Sequence, residues 1–288
     1  MNPPSIDQRL AARERPSSSI IGKQRWSELL FAHWKIDAPT VQATLPRGLF
    51  VDTFAGDAYI GVVPFFMQRV RPAWLPPLPW VSWFLELNVR TYVHDENGNP
   101  GVWFYSLDCN QPIAVAIARH FFHLPYFHAS MSAKRQAGVI RYQCQRQGEK
   151  GAPWCYEWTP GSQSTPAEPG LLEFFLIERY LLFSTNRKGH LMVGRVHHTP
   201  YRVHMPHVSE VSAGPAQLSG FDLKCEPLSL LAAESVDVSI FALEAARTPR
   251  SVLLQTELEK PEGSATEWAP PWSPTCKHPA ATTAPNKK

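Results

Sequence analysis

Apolar residues along this chain recur at strand spacing more often than at helical spacing. In "FLELNVRTYV", residues 84 to 93, Glu86, Asn88 and Arg90 fall on one face of a strand, because alternate strand residues point the same way. Leu85, Leu87, Val89 and Thr91 fall on the other face. Two hairpins are predicted nearby. "AGDA" (55–58) separates two β-prone runs, and "DENGNPG" (95–101) joins the Glu86 strand to "VWFYSLD". "RPAWLPPLPW" (71–80) reads as a stiff loop, since its prolines fix φ and remove donors.

A helix is predicted in "DCNQPIAVAIARHFFHLPYF", with Asp108 or Asn110 as its cap and Pro112 in its first turn. Ile113, Ile117 and Phe121 recur there at helical spacing, and Pro125 ends the run. Strands resume in "GVIRYQCQRQ" and "WCYEWTP". A short helix in "GLLEFFLIERYLLFS", the turn "TNRKGH" and the strand "LMVGRVHHTPYRVH" follow, with a last strand pair within 220–245. Mostly antiparallel strands without βα alternation make this an α+β chain.

The two ends read differently. Residues 1–20 are polar and proline-bearing, as a mobile arm would be, and 258–288 are rich in Pro, Ala and Thr, as a disordered tail would be. One domain over 21–257 is expected between them. Trp268 and Trp272 in the tail are candidates for docking back onto the body.

A net charge of +3 with dispersed bases argues against a nucleic-acid partner. Five cysteines without a CxxC pair argue against a disulfide framework and for a reducing cytoplasm. The first twenty residues lack an apolar core of the secretory type, and no run is long and apolar enough to cross a bilayer, so no membrane partner is expected.

Several chemistries find little support. His120 and His123 stand three apart with His128 close by, but further well-placed ligands are missing, and packing in an aromatic-rich core is the plainer reading. No metal or cofactor is expected. There is no Walker A loop, no GxGxxG after a strand and no GxSxG elbow. Cys109 precedes a helix start, where the dipole lowers a thiol pKa, yet a lone cysteine is more often structural. His197 and His198 face opposite ways in a strand, so one of the two can enter a pocket. The neighbouring strands are apolar on both faces, which places the Glu86 face inside a covered sheet system. A buried acid and base must then pair with each other or bind something.

The stretches "LLFAHWKID", "TFAGDAYIGVVPFFMQRVRP", "FLELNVRTYV", "GVWFYSLDCNQPIAVAIARHFFHLPYFHASM" and "FLIERYLLF…HHTPY" resemble the YqjF-like family of uncharacterised bacterial proteins, over roughly residues 25 to 245. That family is similar in fold to acetoacetate decarboxylase. The resemblance implies a mostly antiparallel sheet closing into a cone-like barrel around an internal pocket, with two or three helices. Acetoacetate decarboxylase uses a lysine that forms a Schiff base with a β-keto acid. The matching place here reads "HLPYFHA", where Tyr126 and Phe127 cannot form an imine, and Lys134 lies nine residues past Pro125. The decarboxylase's glutamate matches Glu86.

The resemblance thus implies a pocket that keeps the acid and lacks the nucleophile. The expected site has Glu86, Tyr126 and His128 as proton-transfer groups, and Arg90, Asn88, Trp103, Tyr105 and His198 as ligand contacts. The expected partner is a small carboxylate or keto compound, and exposed barrel edges are compatible with a homodimer. Two functions stay open: a binding protein without turnover, and an enzyme using Glu86 in lysine-independent lyase, isomerase or cyclase chemistry. Glu86 and Arg90 also retain the alternative of pairing only with each other.

Overall fold

The computed structural model describes residues 3–246. The first half holds α1 (Ile6–Ala11), β1 (Ile20–Ser27), β2 (Leu29–Ile36), α2 (Ala38–Gln42), β3 (Leu49–Val51), β4 (Ala58–Pro72), β5 (Phe84–Asp95) and β6 (Pro100–Cys109). Helix α3 (Pro112–Ile117) runs on into a π-helical turn, Ala118–Phe122, before β7 (Tyr126–Gln136), β8 (Val139–Arg146), β9 (Trp154–Thr159) and β10 (Thr165–Pro166). The second half holds α4 (Leu172–Ile177), β11 (Leu181–Thr185), β12 (Leu191–His197), β13 (Arg202–His204), β14 (His207–Glu210), α5 (Gly214–Leu218), β15 (Ser229–Ala233), β16 (Val236–Phe241) and β17 (Glu244–Ala245).

Seven strands pair in a ring: β1 with β4, then β5, β6, β11, β12, β16 and back to β1. Strand direction cannot alternate all the way round a ring with an odd number of members, so one neighbouring pair must be parallel. That pair is β6 with β11, joined at Leu182–Val102 and Phe183–Trp103. Gly101 permits the approach, since a Cβ there would lie 2.8 Å from the Leu181 carbonyl oxygen and 2.7 Å from the Phe183 ring. The long strands β4, β5 and β6 extend past the barrel into a second layer. There β2 pairs the first half of β4 and continues through β15 to β13, while β7 pairs the end of β6 and continues through β8 and β9 to β14.

The two faces of β5 therefore meet two cores. Phe84 and Tyr92 join Phe31, Tyr59, Phe65 and Phe175 on the barrel side. Leu85, Leu87 and Val89 pack against Trp34, Ile140, Tyr142 and Trp158 of the second layer. The apolar face thus lies under further strands. Five short α-helices are present among the described residues, more than the two or three expected.

Other local expectations change as well. The "AGDA" turn closes only an isolated bridge, Phe54 with Asp57, and β3 pairs with β5, because the chain returns to the long strand. "ERYLLFS" does not continue α4 but enters β11. Gln111 caps α3 by accepting from the Ile113 N–H, while Asn110 accepts from the Leu85 N–H and Asp108 pairs with Arg146.

The first twenty residues are not a mobile arm within the described part. Ser5 and Gln8 form a capping box that starts α1. Arg9 then donates to both oxygens of Asp52 at 2.7 Å, and Arg13 donates to Glu178. These partners lie 43 and 165 residues away in sequence, beyond the reach of a compositional reading. The tail expected at 258–288 lies outside the described residues.

Candidate functional site

A cavity of about 520 Å³ occupies the barrel interior, walled mostly by apolar side chains such as Trp26, Met67, Phe84, Phe104, Leu107 and Ile177. Glu86, Arg90, Tyr126 and Arg179 supply polar groups along the wall. Its size and mostly apolar lining are those of a small-molecule site.

Glu86 is 4 % exposed and sits on β5 between Phe65 of β4 and Cys109 of β6. Tyr126 begins β7, which runs parallel to β6, and its hydroxyl donates to Glu86 Oε2 at 2.8 Å. The tyrosine backbone is held on both sides: its N–H donates to the Leu124 carbonyl, and its carbonyl accepts from Arg119 Nε at 2.6 Å. Burial pushes the Glu86 carboxyl up to about 7, the Tyr126 hydrogen bond opposes this, and the nearby Asp108 charge adds to it. Tyr126 itself is raised well above the ordinary phenol value, first by burial and then by the Glu86 charge, so it stays a donor. A carboxyl poised near neutrality against a fixed hydroxyl can take or give one proton at physiological pH.

Arg90 lies four residues along the same face, its Cα about 13 Å from that of Glu86 at ordinary strand rise. Glu86 and Arg90 do not pair. Among the described residues Arg90 makes no ion pair: Nη2 donates to the Leu176 carbonyl at 3.3 Å, the group stands over the Phe31 and Tyr92 rings, and buried Nε finds no partner. Gly61, cross-strand from Arg90, leaves room beside His33 and Tyr92, where a Cβ would come within 3.1 and 3.2 Å. His33 is driven well below its usual pKa by burial and by the Arg90 charge, so it adds no second cation.

Arg179, which the sequence reading did not single out, also lines the cavity. It donates from Nη1 to Asp52 and from Nε to the Phe175 carbonyl, while buried Nη2 has no partner. Asp52 is shared between Arg9 and Arg179, which leaves one positive charge in excess in this buried trio. Desolvation lowers Arg179 to about 10 against the pull of Asp52, and the group remains charged at neutral pH. A signal was available: Glu178 and Arg179 interrupt the apolar run "FFLIERYLLF" much as Glu86 and Arg90 interrupt theirs.

Five other expected residues lie off the cavity wall. Asn88 shares the face of Glu86 and is buried, yet does not line the cavity, and its Oδ1 has no protein partner. Trp103 packs with Leu49, Val93 and Leu181, and Tyr105 packs on Phe221 with its hydroxyl 2.6 Å from Thr44 Oγ1. A register shift opposite Val89 and Arg90 reverses the alternation of β6, so Val102, Phe104 and Leu107 face the cavity instead. His128 turns outward to Gln147, 3.0 Å away. His198 is buried behind Trp26, stacked on Tyr180, with Nδ1 2.7 Å from the Thr199 carbonyl oxygen.

Among the described residues no buried lysine lines the cavity to form an imine. Lys134 is exposed on β7, and Lys23 is exposed where β1 borders the cavity. Cys109 is fully buried, and desolvation lifts its thiol to about 12, so the helix start does not activate it. His120 is exposed against Phe121 rather than packed in a core. Among the described residues no group of His, Cys, Asp and Glu could hold a metal ion, and no helix is long and apolar enough to cross a membrane.

Comparison with known proteins agrees with this architecture. The chain is similar to an acetoacetate decarboxylase-like enzyme from Sphingomonas wittichii RW1, with a TM-score of 0.57 and 14% identity over 80% of this chain and 95% of that one. It is similar to acetoacetate decarboxylase from Legionella pneumophila, with a TM-score of 0.56 and 12% identity over 82% and 91%. A third likeness is to the enduracididine biosynthesis enzyme MppR complexed with pyruvate, with a TM-score of 0.53 and 13% identity over 81% and 93%. These likenesses establish the acetoacetate decarboxylase-like fold. In sequence, the chain is 39% identical over 186 residues to the uncharacterized protein YqjF of Bacillus subtilis strain 168, covering 65% of this chain and 76% of that protein. The family model described as an uncharacterized conserved protein, DUF2071, matches residues 23–237, and the chain belongs to that family.

Proposed function

We propose that the barrel binds a small, mostly apolar organic acid or keto acid, with its carboxylate held by Arg90. The observation that carries this is the half-buried guanidinium of Arg90, which lines an apolar cavity with its buried Nε unpartnered and no counter-ion among the described residues. A guanidinium is charged at all physiological pH and can grip a carboxylate through two parallel hydrogen bonds. The unpaired Nη2 of Arg179 adds a second donor among the residues lining the same cavity. That MppR has been solved with pyruvate supports the ligand class without extending to this chain.

A thermal-shift panel of keto acids, aliphatic and aromatic carboxylates and their methyl esters tests the proposal. Acids should raise the melting point of the wild type and not that of a folded Arg90→Ala variant, since a ligand stabilises the state it binds. Esters that stabilise as well as acids would reject the anchor.

A second reading is favoured by the Glu86–Tyr126 pair: proton transfer next to a carbonyl, without an imine. Glu86 would remove a proton from the carbon beside the carbonyl, and Tyr126 or Glu86 would return it. Keto acids from the panel would exchange that hydrogen for deuterium in heavy water, and Glu86→Gln would abolish the exchange. No exchange with any bound acid would leave binding alone.

A further inference from the structure

Eight of the fourteen large apolar side chains that stand exposed on the described residues gather at one mouth of the cavity. The proline loop presents Trp74 (76 % exposed), Trp80 (80 %), Leu75, Leu78 and Trp83. Helix α3 and its π turn present Ile113, Ile117 and Phe121, the stripe whose helical spacing would ordinarily mark a buried face. Gln111 Nε2 donates to the Trp80 carbonyl at 2.8 Å and ties the two segments together. Trp74, Ile113, Ile117 and Phe121 all line the cavity, so this is a collar around its opening. Such a concentration of exposed apolar groups marks an interaction surface.

The charge on the collar narrows the partner. Residues 71–83 and 111–123 carry Arg71, Arg119, His120 and His123 and contain no aspartate or glutamate, and Lys23 borders the same opening. We propose that the collar docks on an anionic lipid surface, with its tryptophans in the headgroup region and the cavity opening toward the lipid. Apolar side chains flanked by bases are the two ingredients of interfacial attachment, and tryptophan settles at that boundary. The prolines at 72, 76, 77 and 79 hold the aromatic groups out on a stiff loop, so little chain entropy is lost on docking. The proposed contact is peripheral and needs no spanning segment, and among the described residues no helix is long and apolar enough to cross a membrane.

The test is flotation of the full-length chain with vesicles of neutral phosphatidylcholine, and of phosphatidylcholine with phosphatidylglycerol, at low and high salt. Sedimentation of the protein alone runs in parallel. The expected result is partition onto the anionic vesicles that weakens with salt and falls about tenfold or more in a Trp74→Ala/Trp80→Ala variant with unchanged melting. Arg90→Ala should bind vesicles as the wild type does, so failure of the carboxylate reading would leave this one standing. Equal partition of the tryptophan variant would overturn the proposal. So would absence of vesicle binding, whether the protein self-associates through the two tryptophans or stays monomeric with the collar covered by its own residues beyond 246.

Discussion

Replacing Glu86 by glutamine should change how stability depends on pH, and by an amount that follows from its surroundings. The carboxyl is 4 % exposed and shifted from 4.5 to about 7, chiefly by burial. The folded protein therefore holds this proton more tightly than the unfolded chain does. That contribution to stability is full below the unfolded value of 4.5, falls as the pH rises, and is gone once the pH passes about 7. A shift of this size corresponds to about 3 kcal/mol. Glutamine keeps an oxygen for the Tyr126 hydroxyl and has no proton to lose, so the variant escapes the penalty.

The stability gap between variant and wild type should accordingly open in the variant's favour by about 3 kcal/mol from acid to mildly alkaline pH. In a domain of this size that is about 6–12 °C in melting temperature. Thermal melts of both proteins at steps from acid to mildly alkaline pH read it directly. Other titrating groups are common to both proteins and cancel in the difference. A gap that stays flat with pH would refute the desolvated acid. A wild type that gains on the variant as pH rises would mean that a partner stabilises the carboxylate.

Three further outcomes follow. Tyr126→Phe removes the one contact that lowers Glu86, so the midpoint of the same gap should move above 7, and a midpoint that stays or falls would deny the hydrogen bond a role. Asp52→Ala leaves Arg9 and Arg179 facing each other without their shared acid, and urea unfolding should register a loss of about 3–5 kcal/mol. Gly101→Ala forces a Cβ against the Leu181 carbonyl at the single parallel seam of the barrel, and should cost about 1–3 kcal/mol or more in the same assay.

The part of the cavity wall legible in the sequence is the part that follows a period of two. Glu86 and Arg90 stand out in an apolar strand, and their face does turn into the barrel, because strict alternation along β5 leaves no other arrangement. Tyr126 followed from its place after Pro125. Trp103 and Tyr105 were misplaced by one residue, since nothing in "VWFYSLD" announces the register shift that reverses its faces. Asp52 and Arg179 were missed because their partners are set by contacts more than forty residues away. The collar was hidden for a related reason. Ile113, Ile117 and Phe121 have the spacing of a buried stripe, and sequence alone does not say that they stand exposed among the described residues.

The most direct test of the account is calorimetric titration of one acid from the thermal-shift panel, and of its methyl ester, into the wild type and Arg90→Ala. Hydrogen bonds to a charged group are worth about 1.5–3 kcal/mol. The acid should therefore bind the wild type about 10- to 150-fold more tightly than it binds the variant, while the ester, weaker throughout, should not distinguish the two. Equal affinity of the acid for both proteins would contradict the central claim that Arg90 is the carboxylate anchor of this barrel.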